Sequence, residues 1–565
     1  VGNIDFISTV GAGTALSGLS IVSAATIDFD NTVEIDDENL DINGTTIGID
    51  NVVTTTNLGT VTITNAGVLT LLAAADMTLD GAFLQDGAGG VSTNGDVTTT
   101  NDDITFTTGV TLAGNVALDT GAGIGNISFA STVDATTGGV ETLTLTAGTG
   151  NIVFAGIVGT TRLGTLTIVS AANVAGDAGA TADSGSINAA GLAQTAGSGT
   201  SRFGVLNTNT AGGIDLNGSV FNFNNTVTTT AGGTVSLTNS GLLTIAAAGA
   251  MSLDGLFLQD GAGAVSTGGN IVTTNDNIQF DGAIDLTGNV TLDSGAGIGN
   301  ITLNSGVTET PVTTLTLAAA AGNILLNPVT VSTLTFTTGT DLSLNGAVSV
   351  DNPFDTTNLL GTITIAAVSS VTTTADNIII TRPVVLDANL SLDTGAGADI
   401  SFANTGTIDD GAGGPWNLTV DAPGSVISFG AASGAGNGRI GGAAGANRIG
   451  TLTVTDAGTV NFNGEVFTTV LTQTAGSVIT TSNQAVNISG NISISGTAVT
   501  INNGVTTTAG GTVTITNTGA LTIAATGDMS LDGLFLQTGG GAVSTGGNIV
   551  TTNDNIQFDG AIDLT

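Results

Sequence analysis

Cys, His, Lys and Tyr are missing from this chain altogether, and Trp occurs once. No disulfide, thiolate metal site or Cys nucleophile can form. Without His, Cys, Tyr or Lys, most general acid–base and nucleophile schemes have no residues to run on. Five arginines face 45 acids, for a net charge of −40. That balance repels nucleic acid and anionic membranes and attracts divalent cations. Charged residues make up only 9% of the chain, against 41% hydrophobic. Such a composition excludes intrinsic disorder, which needs low hydrophobicity and high charge. No uninterrupted apolar run reaches the ~18 residues of a membrane helix. Gly is abundant at 86 residues but follows no three-residue period, and Pro is only six, so the chain is not collagen-like.

What is present is repetition, which decides architecture before any other reading. Val227–Thr287 recurs at Val505–Thr565, shifted by 278 positions, with eight differences in the sixty residues from Thr228. A looser copy begins at Val53. All three methionines, Met77, Met251 and Met529, open the same motif, M-[ST]-L-D-G-x-F-L-Q. Residues 1–52 are read as acidic β coils and 53–161 as the first copy. Residues 162–440 form a second unit, about as long as that shift, and 441–565 a partial third copy. All six prolines and Trp416 lie in a divergent segment, 310–423. Because the last copy stops part-way and the chain opens without Met, we expect a piece of a longer protein.

Within each copy, Val61 and Ile63 alternate with Thr60 and Thr62, and Gly, Asn and Asp separate such pieces. Period two with β-branched residues predicts strands, and no segment sustains a helical period. Short strands could build a sandwich or a barrel. Unbroken continuation and stacking motifs favour an all-β, parallel β-solenoid, right-handed by the general rule for parallel crossovers. At roughly 20 residues and ~4.8 Å per coil the chain would extend on the order of 130 Å.

The runs VTTTAGGTVSLTNSGLLTI, LDSGAGIGNITL and GLAQTAGSGTSRFG resemble the degenerate strand repeats of giant bacterial surface proteins, the filamentous haemagglutinin and autotransporter-adhesin class. The resemblance implies a secreted β-helical rod at the cell surface, acting as an adhesin or extracellular fibre. Its partners would be copies of itself or a ligand on a host or neighbouring cell. The secretion-domain signature of that class is not in this sequence.

Each candidate site also has a plain structural role. The methionine motif is read as core, with Asp-Gly as a turn. Four arginines, Arg162, Arg202, Arg439 and Arg448, stand in R-[LIF]-G, where turn carbonyls or a nearby Asp are the expected partners. Forty of the 45 acids are Asp, whose short side chain bonds its own backbone in turns. Oxygen ligands for Ca²⁺ are offered by Asp28, Asp30, Glu34, Asp36, Asp37 and Asp41, and by Asn-Asp turns at Asp102, Asp276 and Asp554. No EF-hand pattern is present, and solvated turns are the alternative. The Thr runs at Thr54, Thr228 and Thr506 are read as solvent-facing strand rather than an ice-binding ladder. Gly430–Asn447, rich in Gly and Ala, is the expected protruding loop and the place for a receptor-binding feature. A carboxylate pair for glycoside chemistry is the minor alternative. The reading is a non-enzymatic structural rod, or else a self-assembling filament or sheath.

Overall fold

The computed structural model describes residues 2–403, 406–431, 438–442, 447–474 and 479–565. Among them all regular structure is strand, paired in parallel, and the strands stack as a β-solenoid of about 26 turns. The chain divides into two compact units, Val1–Asp285 and Leu286–Thr565. Among the described residues no helix is long and apolar enough to cross a membrane.

The local logic is short. Most strands are three residues, with the outer two buried and the middle one turned outward. Three such strands and their corners close a turn, and each strand pairs with its equivalent one turn later. In the first unit Val61 pairs with Phe83, Phe83 with Ile104, Ile104 with Ile127 and Ile127 with Ile152. In the second unit Ile324 pairs with Leu342, Leu342 with Ile363 and Ile363 with Val384. Period-two patterning therefore sends one apolar column inward from every row. Phenylalanines stack on one another inside. Phe83, Phe106, Phe129 and Phe154 follow at centroid spacings of 5.2, 5.6 and 5.5 Å.

The 565 residues in about 26 turns give about 22 per turn, slightly more than expected. The turns are uneven. The step from Ile324 to Leu342 is short and the step from Leu418 to Leu452 nearly twice as long, which explains why no strict short period is visible. The core fixes three inward strands per turn but leaves the corners free in length.

One row opens. The strand Thr333–Thr338 pairs with Thr314–Ala318 behind it. No strand pairing joins it to Phe354–Asp355 ahead, which pairs onward with Ile378–Ile380.

Candidate functional site

The methionine motif is a coil-locking device. Met77, Met251 and Met529 are at most 2% exposed. Each pairs with a valine on one side (Val53, Val227, Val505) and with Val97, Ile271 or Ile549 on the other. The Asp after each motif leucine reaches back one coil. Asp80 accepts from the Leu58 N–H at 2.8 Å, Asp254 from Gly232 at 2.8 Å and Asp532 from Gly510 at 2.7 Å. Those donors sit in left-handed backbone, with φ of 66°, 74° and 72°. The N–H of the same Asp donates to the hydroxyl of Thr55, Thr229 or Thr507. That hydroxyl donates in turn to the carbonyl of Gly59, Gly233 or Gly511 at 2.5–2.6 Å. The middle threonine of each Thr run is therefore buried, which corrects the solvent-facing reading. Its hydroxyl closes the corner.

The motif glutamine meets an asparagine that the sequence disguises as a turn residue. Gln85, Gln259 and Gln537 are fully buried and donate to Asn65, Asn239 and Asn517 Oδ1 at 2.7–2.8 Å. Each Asn donates from Nδ2 to the carbonyl of Gly67, Gly241 or Gly519 at 2.6 Å. Gln259 Oε1 accepts from the Gly282 N–H at 2.8 Å, and Gln537 Oε1 from Gly560 at 3.0 Å. Buried amides that satisfy one another remove the desolvation cost of placing them in a core.

Of the four R-[LIF]-G arginines, Arg202 and Arg439 take the expected Asp partner, while Arg162 and Arg448 reach strand carbonyls of later coils rather than turn carbonyls. Arg162 donates to the carbonyls of Ala189 and Asn207, both at 2.8 Å, and to Asn207 Oδ1 at 3.0 Å. Arg448 repeats this on Thr468 and Asn487. Arg202 pairs with Asp183 at 3.3 Å, and Arg439 with Asp409 at 2.9 Å.

Beside the motif Asp residues, three arrangements of acids stand out. The first bonds its own turn, as Asp119 does with the Gly121 N–H at 2.7 Å. The second was not foreseen: the side chain accepts from backbone of the next coil. Asp103 accepts from Asn126 N–H, Asn126 from Asn151, and Asp96 from Ala117, at 2.7–2.8 Å. Much of the Asp and Asn content therefore stitches corner to corner.

The third group is a cluster. One carboxylate oxygen from each of Asp28, Asp30 and Asp50 lies within 4.8 Å of the others. Asp5 stands beside Asp28 in register. Burial, then repulsion from Asp50, Asp30 and Asp5, pushes the Asp28 carboxyl above its ordinary value. An all-oxygen set suits a hard cation such as Ca²⁺. Sequence reading named Asp28 and Asp30 but missed Asp50, which only the coil register brings near. The other residues of the acidic stretch point elsewhere. Glu34, Asp37 and Asp41 are exposed, and Asp36 accepts from Thr56 and Asn57. Among the described residues, Asp102, Asp276 and Asp554 join no group of three acids. Their carbonyls accept from buried Thr99 and Thr273 and from Thr551, and Asn101, Asn275 and Asn553 before them take φ of 64–68°. Asn tolerates that conformation, which explains Asn-Asp at these corners.

Of the expected loop Gly430–Asn447, residues 432–437 and 443–446 lie outside the described residues. No family model, curated protein or solved structure matches this chain.

Proposed function

We propose that this chain is a load-bearing segment of a secreted bacterial surface fibre or adhesin. One observation carries the reading: the polar residues that recur in every copy bond one coil to the next. Asp80, Thr55, Asn65 and Gln85, with their counterparts, act along the stacking direction. Sequential coils bonded by many parallel backbone hydrogen bonds resist extension, and stability sums over neighbours. Pulling single molecules by force spectroscopy tests this. Stepwise rupture at forces well above those of helical proteins supports the proposal, and smooth low-force extension sinks it.

A second reading, a self-assembling filament, is favoured by one repeated feature. The LDTGAGIGN and LDSGAGIGN corners each hold an isoleucine in water, Ile124 and Ile298, both 78% exposed. The corners are built alike. Thr120 or Ser294 donates to the carbonyl of Gly125 or Gly299, and Asp119 or Asp293 accepts from the following Gly N–H. Surfaces repeated in the sequence suit contacts between copies. Electron microscopy of purified protein separates the readings, by single rods or ordered bundles.

A further inference from the structure

The opening at Thr333–Thr338 has the chemistry of a docking edge. In a parallel stack the N–H and C=O of each inward residue point to the neighbouring coil. The other two rows of the same turn obey this: Val329 N–H donates to Ala347 at 2.8 Å and Leu342 N–H to Thr362 at 3.0 Å. Leu334 and Phe336 hold the equivalent positions in the third row, but among the described residues no strand pairs with them there. The ladder is intact on both sides of the gap, where Asn352 N–H donates to Ser332 and Leu360 N–H to Gly339. Between these points the chain swings away. Pro353 brings no N–H, and the Asn358 side chain reaches the edge instead, donating to the Phe336 carbonyl at 2.9 Å. Phe354 still meets Phe336 edge-on inside, at 5.8 Å, so the core stays closed. What remains outside is a groove of about 350 Å³, lined by Thr335, Asn352, Asp355 and Asn358 beside the strand edge.

We propose that this groove takes an extended, cationic peptide segment of a partner protein, added as a short strand against Leu334–Phe336. An unpaired edge with alternating donors and acceptors is complemented by another extended backbone. The charge follows from the surface. Asp355 is exposed in the groove, none of the residues lining it is basic, and the chain carries −40. The groove lies in the Pro-bearing segment that the other copies do not share, where a specific contact can differ from the repeated scaffold.

The test is hydrogen exchange by mass spectrometry on the full chain. The probe is the capped peptide Lys-Thr-Val-Thr-Val-Lys. Expected are slower exchange over Leu334–Phe336, weaker binding by Asp355→Asn, and loss of about tenfold or more in affinity with Thr335→Arg, which fills the groove and repels the probe. Asn358→Ala, which frees the Phe336 carbonyl, should tighten binding several-fold. A backbone N-methylated peptide and one with Asp for Lys should not protect. The proposal is overturned by unchanged exchange at saturating peptide, by equal protection from the methylated control, or by unaltered binding to Thr335→Arg with its melting transition intact. Protection that rises with protein concentration alone would assign the edge to a second copy instead, and also overturns it.

Discussion

Gln259 donates to Asn239 Oδ1 at 2.7 Å while both side chains are fully shielded from water. The pair spans two coils and has twins at Gln85–Asn65 and Gln537–Asn517. Replacing Asn239 by Ala strips Gln259 Nε2 of one of its two acceptors in a closed core and leaves it only the Gly261 carbonyl. Leaving a buried donor unpaired costs about 1–3 kcal/mol. Urea melts should show that loss, and hydrogen exchange should place it around Gln259. Loss spread evenly over the chain would contradict the local account.

Met251→Ala should remove about 2–5 kcal/mol from its neighbourhood, the usual range for emptying a buried site. Met77→Ala and Met529→Ala should match it, because the three sites have equivalent partners. Thermal melts of the three variants check the equivalence.

Arg448 is buried enough that its guanidinium is held below its ordinary value. One arm of its planar fork donates to the Thr468 and Asn487 carbonyls and the other to Asn487 Oδ1, and the guanidinium lies 5.9 Å from the Phe467 ring. Arg448→Lys keeps the charge but loses the fork. A loss of about 1–3 kcal/mol is expected, one or two unpaired acceptors' worth. Denaturant titration of the Lys variant measures it. Arg382→Lys is the control, since that guanidinium donates to the Thr357 carbonyl at a long 3.3 Å.

Asp28 and Asp102 both have carboxyls pushed above the ordinary 3.8, by burial first and then by neighbouring acids. Such a group binds its proton more tightly folded than unfolded. Its penalty is present above the folded value, relaxes as pH falls through that value, and is gone below 3.8. Glu309 runs the other way. Burial pushes it up, but hydrogen bonds from Ser332 and Thr313 outweigh that and hold it low, so its contribution is lost only below 4.5. Melting temperature should therefore rise from pH 7 towards pH 4–5. Asp28→Asn should raise it at pH 7 and flatten the slope, as calorimetry across that range would reveal.

Repulsion among Asp28, Asp30 and Asp50 is also relieved by a divalent cation. Millimolar Ca²⁺ should raise the melting temperature more than Na⁺ at matched ionic strength, and EDTA should reverse the gain. Asp50→Asn should abolish the calcium increment. Coincident curves in Ca²⁺, EDTA and Na⁺ would leave these acids as solvated corner residues.

The parallel stack was legible because Val61-Thr62-Ile63 and its many equivalents carry inside–outside alternation on their face. Equivalence of the three methionines followed from the motif alone. The Gln85–Asn65 pair was not legible, since Asn-Ala-Gly reads as a turn and a buried Asn has the same letters. Asp50 was missed for a related reason. It joins Asp28 through coil register, and register depends on a coil length that differs from turn to turn. The open edge at Leu334–Phe336 left only Pro353 as a trace, one proline among six.

The two closest copies differ at eight positions, and seven face outward; only Leu237, matched by Ile515, lies in the core. Thr228–Thr287 and Thr506–Thr565 thus present nearly the same inward surface and the same strand edges. A nascent coil has little chemistry with which to tell its proper neighbour from that neighbour's double, one full repeat away. Identical edges invite exchange between copies, within one chain or between two. Order of appearance can supply the discrimination that side chains do not. A coil that docks as it emerges meets only the turn before it, so folding that keeps pace with synthesis or export settles the register. Refolding of the whole chain from denaturant gives both copies equal chances, and misregistered, entangled products are the expected cost.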